Sequence, residues 1–113
     1  MADCIFCKII NKEIPSKIIY EDDHVLAIHD IEPVAPVHIL VMPRKHITGI
    51  AAVTDEELSN IGHIYGVIRD IAKKMELNEG YRVVLNHGQQ GGQTVNHLHF
   101  HLLGGRSMNW PPG

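Results

Sequence analysis

The chain has 113 residues, with Lys plus Arg at 10 and Asp plus Glu at 13, a formal net charge of −3 with neutral histidines. A hydrophobic fraction of 44% and a charged fraction of 20% suit one globular domain with a buried core and exclude a disordered charged tail. The acidic balance argues against general nucleic-acid binding, and no apolar run approaches the roughly 18–20 residues of a membrane span.

In chain order, Met1-Ala2-Asp3-Cys4 shows no basic-then-apolar pattern, so no secretory signal and a cytoplasmic location are expected. Cys4 and Cys7 form a C-x-x-C with three open readings: a redox pair, half of a zinc site, or two reduced thiols. Only three residues precede Cys4, which counts against a redox motif set behind a strand. Asp3 is placed to cap a short helix running to about Asn11, and Pro15 ends that segment. Ile18-Ile19-Tyr20 and Val25-Leu26-Ala27-Ile28 read as strands around an acidic turn, and residues 31–37, with Pro33 and Pro36, as a loop. His38 to Met42 is a third strand, stopped by Pro43. Thr54 and Glu57 form a capping box for one long helix. Its apolar stripe is expected at Leu58, Ile61, Tyr65, Ile68, Ala72 and Met75, with His63 solvated. Tyr81–Asn86 is a fourth strand, 87–93 a glycine-rich loop, and Val95–Leu103 a fifth strand closed by Gly104-Gly105. Five short strands with one long and one short helix predict an antiparallel α+β domain.

Nine histidines against two phenylalanines and one tryptophan exceed what core packing asks for. Strand alternation places His97, His99 and His101 on one face, and Leu98, Phe100 and Leu102 on the other, in the core. The imidazoles then stand about 7 Å apart along the chain, and the outer two about 13 Å, so one metal ion cannot collect all three. Gly88, Gly91 and Gly92 let the preceding backbone approach an anion, which sets a phosphate cradle beside an imidazole nucleophile or acid.

His97-x-His99-x-His101 with its apolar flank resembles the signature of the histidine triad (HIT) family of nucleotide-binding proteins. Ile28-His29-Asp30-Ile31, residues 36–41, Gly91-Gly92-Gln93-Thr94, and Gly104-Gly105-Arg106 with the ending Trp110-Pro111-Pro112-Gly113 are similar to its Hint branch. The resemblance covers nearly the whole chain. It implies a single HIT domain over residues 1–113 and a homodimer; because Trp110, Pro111 and Pro112 need a place to bury apolar surface, the C-terminal tail at 107–113 is expected to reach toward the partner's pocket. The implied activity is hydrolysis of purine nucleoside phosphoramidates, in which an AMP or GMP moiety is bonded to an amine. Neither nucleic acid nor membrane is an implied partner. By the same resemblance His99 is the nucleophile, His101 contacts phosphate and protonates the leaving amine, and His38 supports that transfer. Thr94, where the branch usually has serine, reaches the phosphate or leaving group. Asn86, Gly92, Gln93, Thr94 and Val95 lie on the phosphate side, and Asp30 accepts the ribose hydroxyls. Phe6, Ile9, Ile28, His29, Ile31 and Leu40 match the base pocket. Microbial members with this cysteine pair hold zinc, and the matching set here is Cys4, Cys7, His46 and His97, a structural site outside the chemical step. Three other activities are weighed against the phosphoramidase: a dinucleoside polyphosphate hydrolase or nucleotidyl transferase, a nucleotide-binding adaptor, and a plain zinc hydrolase using a His-x-His pair.

Overall fold

The computed structural model describes residues 3–113. Helix α1 (Ile5–Ile10) is followed by strands β1 (Ile18–Glu21), β2 (Val25–His29) and β3 (Val37–Pro43), then by the long helix α2 (Leu58–Lys74), β4 (Tyr81–Leu85) and β5 (Phe100–Gly104). The strands form one antiparallel sheet in the order β1-β2-β3-β5-β4, the α+β arrangement the sequence predicts. Among the described residues no helix is long and apolar enough to cross a membrane.

Strands β2 and β3 are apolar at almost every position because both sheet faces are covered. Val25, Ala27, Ile39, Val41, Phe100 and Leu102 pack beneath α2. Their alternate neighbours Leu26, Ile28, Leu40 and Met42 meet Phe6, Ile9 and Ile10 of α1. The two covers are unequal. Six residues of helix span about 9 Å, while five strands spread over about 19 Å. Part of the α1 face therefore stays open around β5 and β4. His101 lies opposite Leu40 in the ladder and His38 sits two residues from Leu40, so both imidazoles belong to that face.

Three local expectations are corrected. Cys4, not Asp3, caps α1: its Sγ accepts from the Cys7 amide at 3.4 Å. The buried side of α2 is rotated from the expected stripe, because Leu58 and Tyr65 are 52% and 49% exposed while Ile64, Val67 and Ile71 are buried. The capping box does form, with Glu57 Oε1 accepting from the Thr54 amide at 2.9 Å, but it opens a short 3-10 turn that leads into α2. Third, β5 begins at Phe100, not Val95. Residues 95–99 leave the ladder because their polar groups bond elsewhere. The Leu98 amide donates to Ile47 O at 2.6 Å, and the His97 ring donates to Pro43 O at 2.9 Å.

His63 is exposed, as expected, and is also tied to the turn between β1 and β2. Its Nε2 lies 2.6 Å from Asp22 Oδ2, which accepts from Tyr20 Oη at 2.7 Å, while Asp22 Oδ1 accepts the His24 and Val25 amides. Burial opposes the charge on Asp22, but these hydrogen bonds outweigh it and hold the carboxyl well below the usual carboxylate range. A depressed carboxyl contributes stability above its ordinary pKa, and acid removes that stability. Asp22→Asn is expected to lower the melting temperature at neutral pH by several degrees and to flatten the acid limb of the stability curve, read by calorimetry. An unchanged acid limb would show that Asp22 does not tie α2 to the β1–β2 turn.

Candidate active site and metal centre

Two clusters of titratable side chains meet on the open side of the sheet. The first joins α1 to the segment before β5. Cys7 Sγ lies 3.3 Å from His46 Nδ1 and 3.6 Å from His97 Nδ1, and Cys4 Sγ lies 3.5 Å from His97 Nδ1. The four ligand atoms all lie within 4.8 Å of one another. A tetrahedral zinc with bonds of about 2.3 Å to sulfur and about 2.0–2.1 Å to nitrogen sets sulfur and nitrogen about 3.5 Å apart, so the spacing fits. The His97 Nε2–H bond to Pro43 O leaves the Nδ1 lone pair facing the cysteines and fixes the ring in the orientation a metal-bound imidazole needs. Burial keeps His97 below its ordinary pKa and therefore neutral. Burial, with the adjacent Cys4 thiol, pushes Cys7 up to about 11, so without a cation that sulfur stays a thiol.

The second cluster is the histidine row. The structure does not leave it as three equally exposed rings. His97 and His99 are buried and His101 is half-buried. His97 turns into the metal cluster, while His99 and His101 stay side by side with ring centroids 5.1 Å apart. Phe6 wedges edge-on against His97 and His99, at 5.9 and 5.0 Å. His99 Nδ1–H donates to His97 O at 2.6 Å, so in the neutral ring the lone pair is on Nε2. A regular strand would have spent that carbonyl on the ladder, which gives the early end of β5 a purpose.

The tautomers beyond His99 follow from one backbone group. The Val34 amide donates to His38 Nδ1 at 3.1 Å, so the proton of neutral His38 must sit on Nε2. That Nε2 faces His101 Nδ1 at 2.9 Å and Asp30 Oδ2 at 3.4 Å. His101 Nδ1 therefore accepts, and its proton sits on Nε2. Burial lowers both pKa values; Asp30 partly offsets this at His38, whereas His99 and His38 add to it at His101, which falls to about 4. Relative to an ordinary 6.5, the unfolded chain binds a proton at His101 first as pH falls. Stability is thus full above pH 6.5 and declines from there toward about pH 4. His101→Asn is expected to shallow that decline in a pH series of melting temperatures, and an identical slope would contradict the neutral ring.

The other expected residues divide. Asp30 joins His38 and His101, with Oδ1 accepting from the Glu32 amide at 2.7 Å. Phe6, Ile9, Ile28 and Leu40 form the apolar cluster beneath α1, His29 is half-buried, and Ile31 stands 91% exposed. Thr94 and Val95 line an open depression with Cys4, His46 and Thr48. Gln93 is spent on the backbone at both ends of its amide: it donates to Thr48 O at 2.7 Å and Val95 O at 3.0 Å, and accepts from the Gly88 amide at 2.9 Å. It shapes the glycine-rich loop. Asn86 does the same through Gly91 O at 2.7 Å. Within that loop Gly91 admits no side chain, since a Cβ would run into His87 O, and Gly92 has φ +78°. Sequence reasoning missed Val34, whose part is played by a backbone amide that no residue type signals.

The HIT domain model matches residues 11–108. An uncharacterised HIT-like protein of Synechococcus elongatus is 54% identical over 111 residues, covering 98% of this chain and 97% of the relative. A 14 kDa zinc-binding protein of Zea mays is 51% identical, covering 96% and 87%. The crystal structure of a HIT family hydrolase from Legionella pneumophila superposes with a TM-score of 0.95 at 46% identity, covering 98% and 100%. The chain belongs to the HIT family.

Proposed function

We propose that the chain is a nucleoside phosphoramidase that works through a nucleotidyl-histidine. The observation that carries this is the pairing of an Nε2 lone pair on His99 with an Nε2–H on His101, each dictated by the hydrogen bond at the opposite ring nitrogen. His99 Nε2 attacks the α-phosphorus, the P–N bond breaks with its electron pair on the amine nitrogen, and that nitrogen takes the proton from His101 Nε2, which leaves negative charge on the His101–His38 pair beside the positive charge of the nucleotidylated His99 ring. Water then attacks phosphorus and gives its proton to His101 Nε2, and the bond electrons return to His99. In this reading Asp30 would accept the ribose hydroxyls, the purine would lie against Phe6, Ile9, Ile28, His29, Ile31 and Leu40, and the loop of Gly92, Gln93, Thr94 and Val95 would meet the phosphate. Steady-state assays with an adenosine phosphoramidate and a diadenosine polyphosphate, side by side, test the substrate class. Faster turnover of the phosphoramidate is expected; a preference for the polyphosphate sinks the assignment.

Cys4, Cys7, His46 and His97 would hold a zinc ion, which ties α1 to the segment before β5 and takes no part in the chemical step. The donor geometry and the zinc-binding name of the maize relative support this.

A homodimer is part of the same reading. Strand β4 is an edge with one side unpaired, Tyr65 and Leu58 of α2 are half-exposed, and Trp110 is 82% exposed. An isologous contact would cover these groups and carry residues 107–113 toward the partner's pocket. Light scattering at micromolar concentration is expected to give twice the chain mass, and a monomer contradicts it.

A further inference from the structure

We infer that Arg106 is a positioning residue that determines, through Val34 and His38, which nitrogen of His101 carries the proton. The inference rests on the phosphoramidase reading for its kinetic consequence, though not for its structural one. Arg106 leaves the end of β5 and donates twice to Val34 O, from Nη2 at 3.0 Å and Nε at 3.3 Å, while its Nη1 donates to Ser107 O at 3.0 Å. The amide of that same residue is the donor to His38 Nδ1. The preceding residue serves the same loop: Gly105 has φ +90°, and a Cβ there would stand 2.8 Å from Pro36 Cβ. The β5 exit is thus built to press against residues 33–36 and grip them.

Val34 needs such a grip because its own side chain is 60% exposed, so burial of that side chain does not hold it in place. The amide it presents has a consequence beyond one hydrogen bond. Neutral imidazole has two tautomers, and the Val34 amide admits one of them at His38. His38 in turn admits one at His101, because its Nε2–H needs an acceptor at His101 Nδ1. If the loop moves about 1 Å, the His38 bond lengthens beyond hydrogen-bond range and both rings become free to exchange tautomers. A His101 that carries its proton on Nδ1 presents a bare Nε2 to the leaving amine and cannot protonate it.

The test is long-range proton–nitrogen correlation NMR of the histidine rings in the wild type, Arg106→Ala and Arg106→Lys, with His38 and His101 assigned by single substitutions. The wild type is expected to show Nε2–H tautomers at both rings. Arg106→Ala is expected to show averaged nitrogen shifts at both, with kcat lowered about fivefold, the size of one net hydrogen bond, and KM little changed. Arg106→Lys, which keeps one donor to Val34 O, is expected to recover part of both effects. Unchanged ring tautomers in Arg106→Ala overturn the inference, whatever happens to the melting temperature or the rate. Averaged tautomers in a protein whose wild type does not turn over phosphoramidates would leave Arg106 in its positioning role and remove the phosphoramidase reading instead.

Discussion

His99→Asn is expected to lower phosphoramidate turnover at least about a thousandfold while nucleotide binding and the fold persist. Asparagine is the informative replacement. Its side-chain amide can still donate to His97 O, the bond that holds His99 Nδ1 at 2.6 Å, but it offers no nucleophile where Nε2 stood. His99→Ala would add a second effect, because the ring is buried and packs edge-on to Phe6, so its removal leaves a cavity. Calorimetry with AMP separates binding from chemistry. Loss of only a few-fold in rate, with AMP still bound, would mean that another group attacks phosphorus.

Removal of zinc is expected to have the largest effect on stability. A ligand held only by the folded chain adds about 4 kcal/mol when present at a thousandfold excess over its Kd. For a domain of this size that corresponds to about 10–20 °C in melting temperature. The physical reason is the reach of the four donors. Cys4 and Cys7 lie at the start of α1, His46 lies after β3 and His97 precedes β5, so the ion would join three separate parts of the chain. Chelation should therefore lower the melting temperature by about that amount, and Cys7→Ser should mimic it without chelator. Because the ligands bind only when deprotonated, acid should weaken the metal first. Protein purified without a metal-binding tag should contain one zinc per chain by elemental analysis. Absence of zinc together with two freely titrating thiols would contradict the site.

Much of this arrangement is legible in the residues. The i, i+2 phase of His99 and His101, opposite Leu98, Phe100 and Leu102, follows from strand alternation alone, and the core bears it out. The resemblance supplied the pairing of Cys4 and Cys7 with His46 and His97, and the donor atoms do converge. The start of β5 at Phe100 is hidden in the sequence for a physical reason. His97 to Leu102 alternates polar and apolar residues in the manner of a strand, yet tertiary hydrogen bonds to Pro43 and Ile47 compete successfully for the groups of His97 and Leu98. The buried face of α2 is ambiguous in the sequence because Leu58 and Tyr65 are apolar and helically spaced, and apolar residues at an exposed helix face carry the same periodic signal as core residues. The bond from Arg106 to Val34 spans 72 positions and ends on a carbonyl, so neither composition nor spacing marks it.

The central claim is that the nucleotide passes through a covalent bond to His99 Nε2. A rapid-quench experiment tests it most directly: an adenosine phosphoramidate labelled at the α-phosphorus is mixed with excess enzyme, stopped in alkali within one turnover, and the peptides are mapped by mass spectrometry. The account predicts one nucleotidyl group per chain on the peptide that carries His99, appearing and decaying at rates that account for turnover. Label on a different histidine, or full single-turnover product with no labelled peptide at any time, would contradict it.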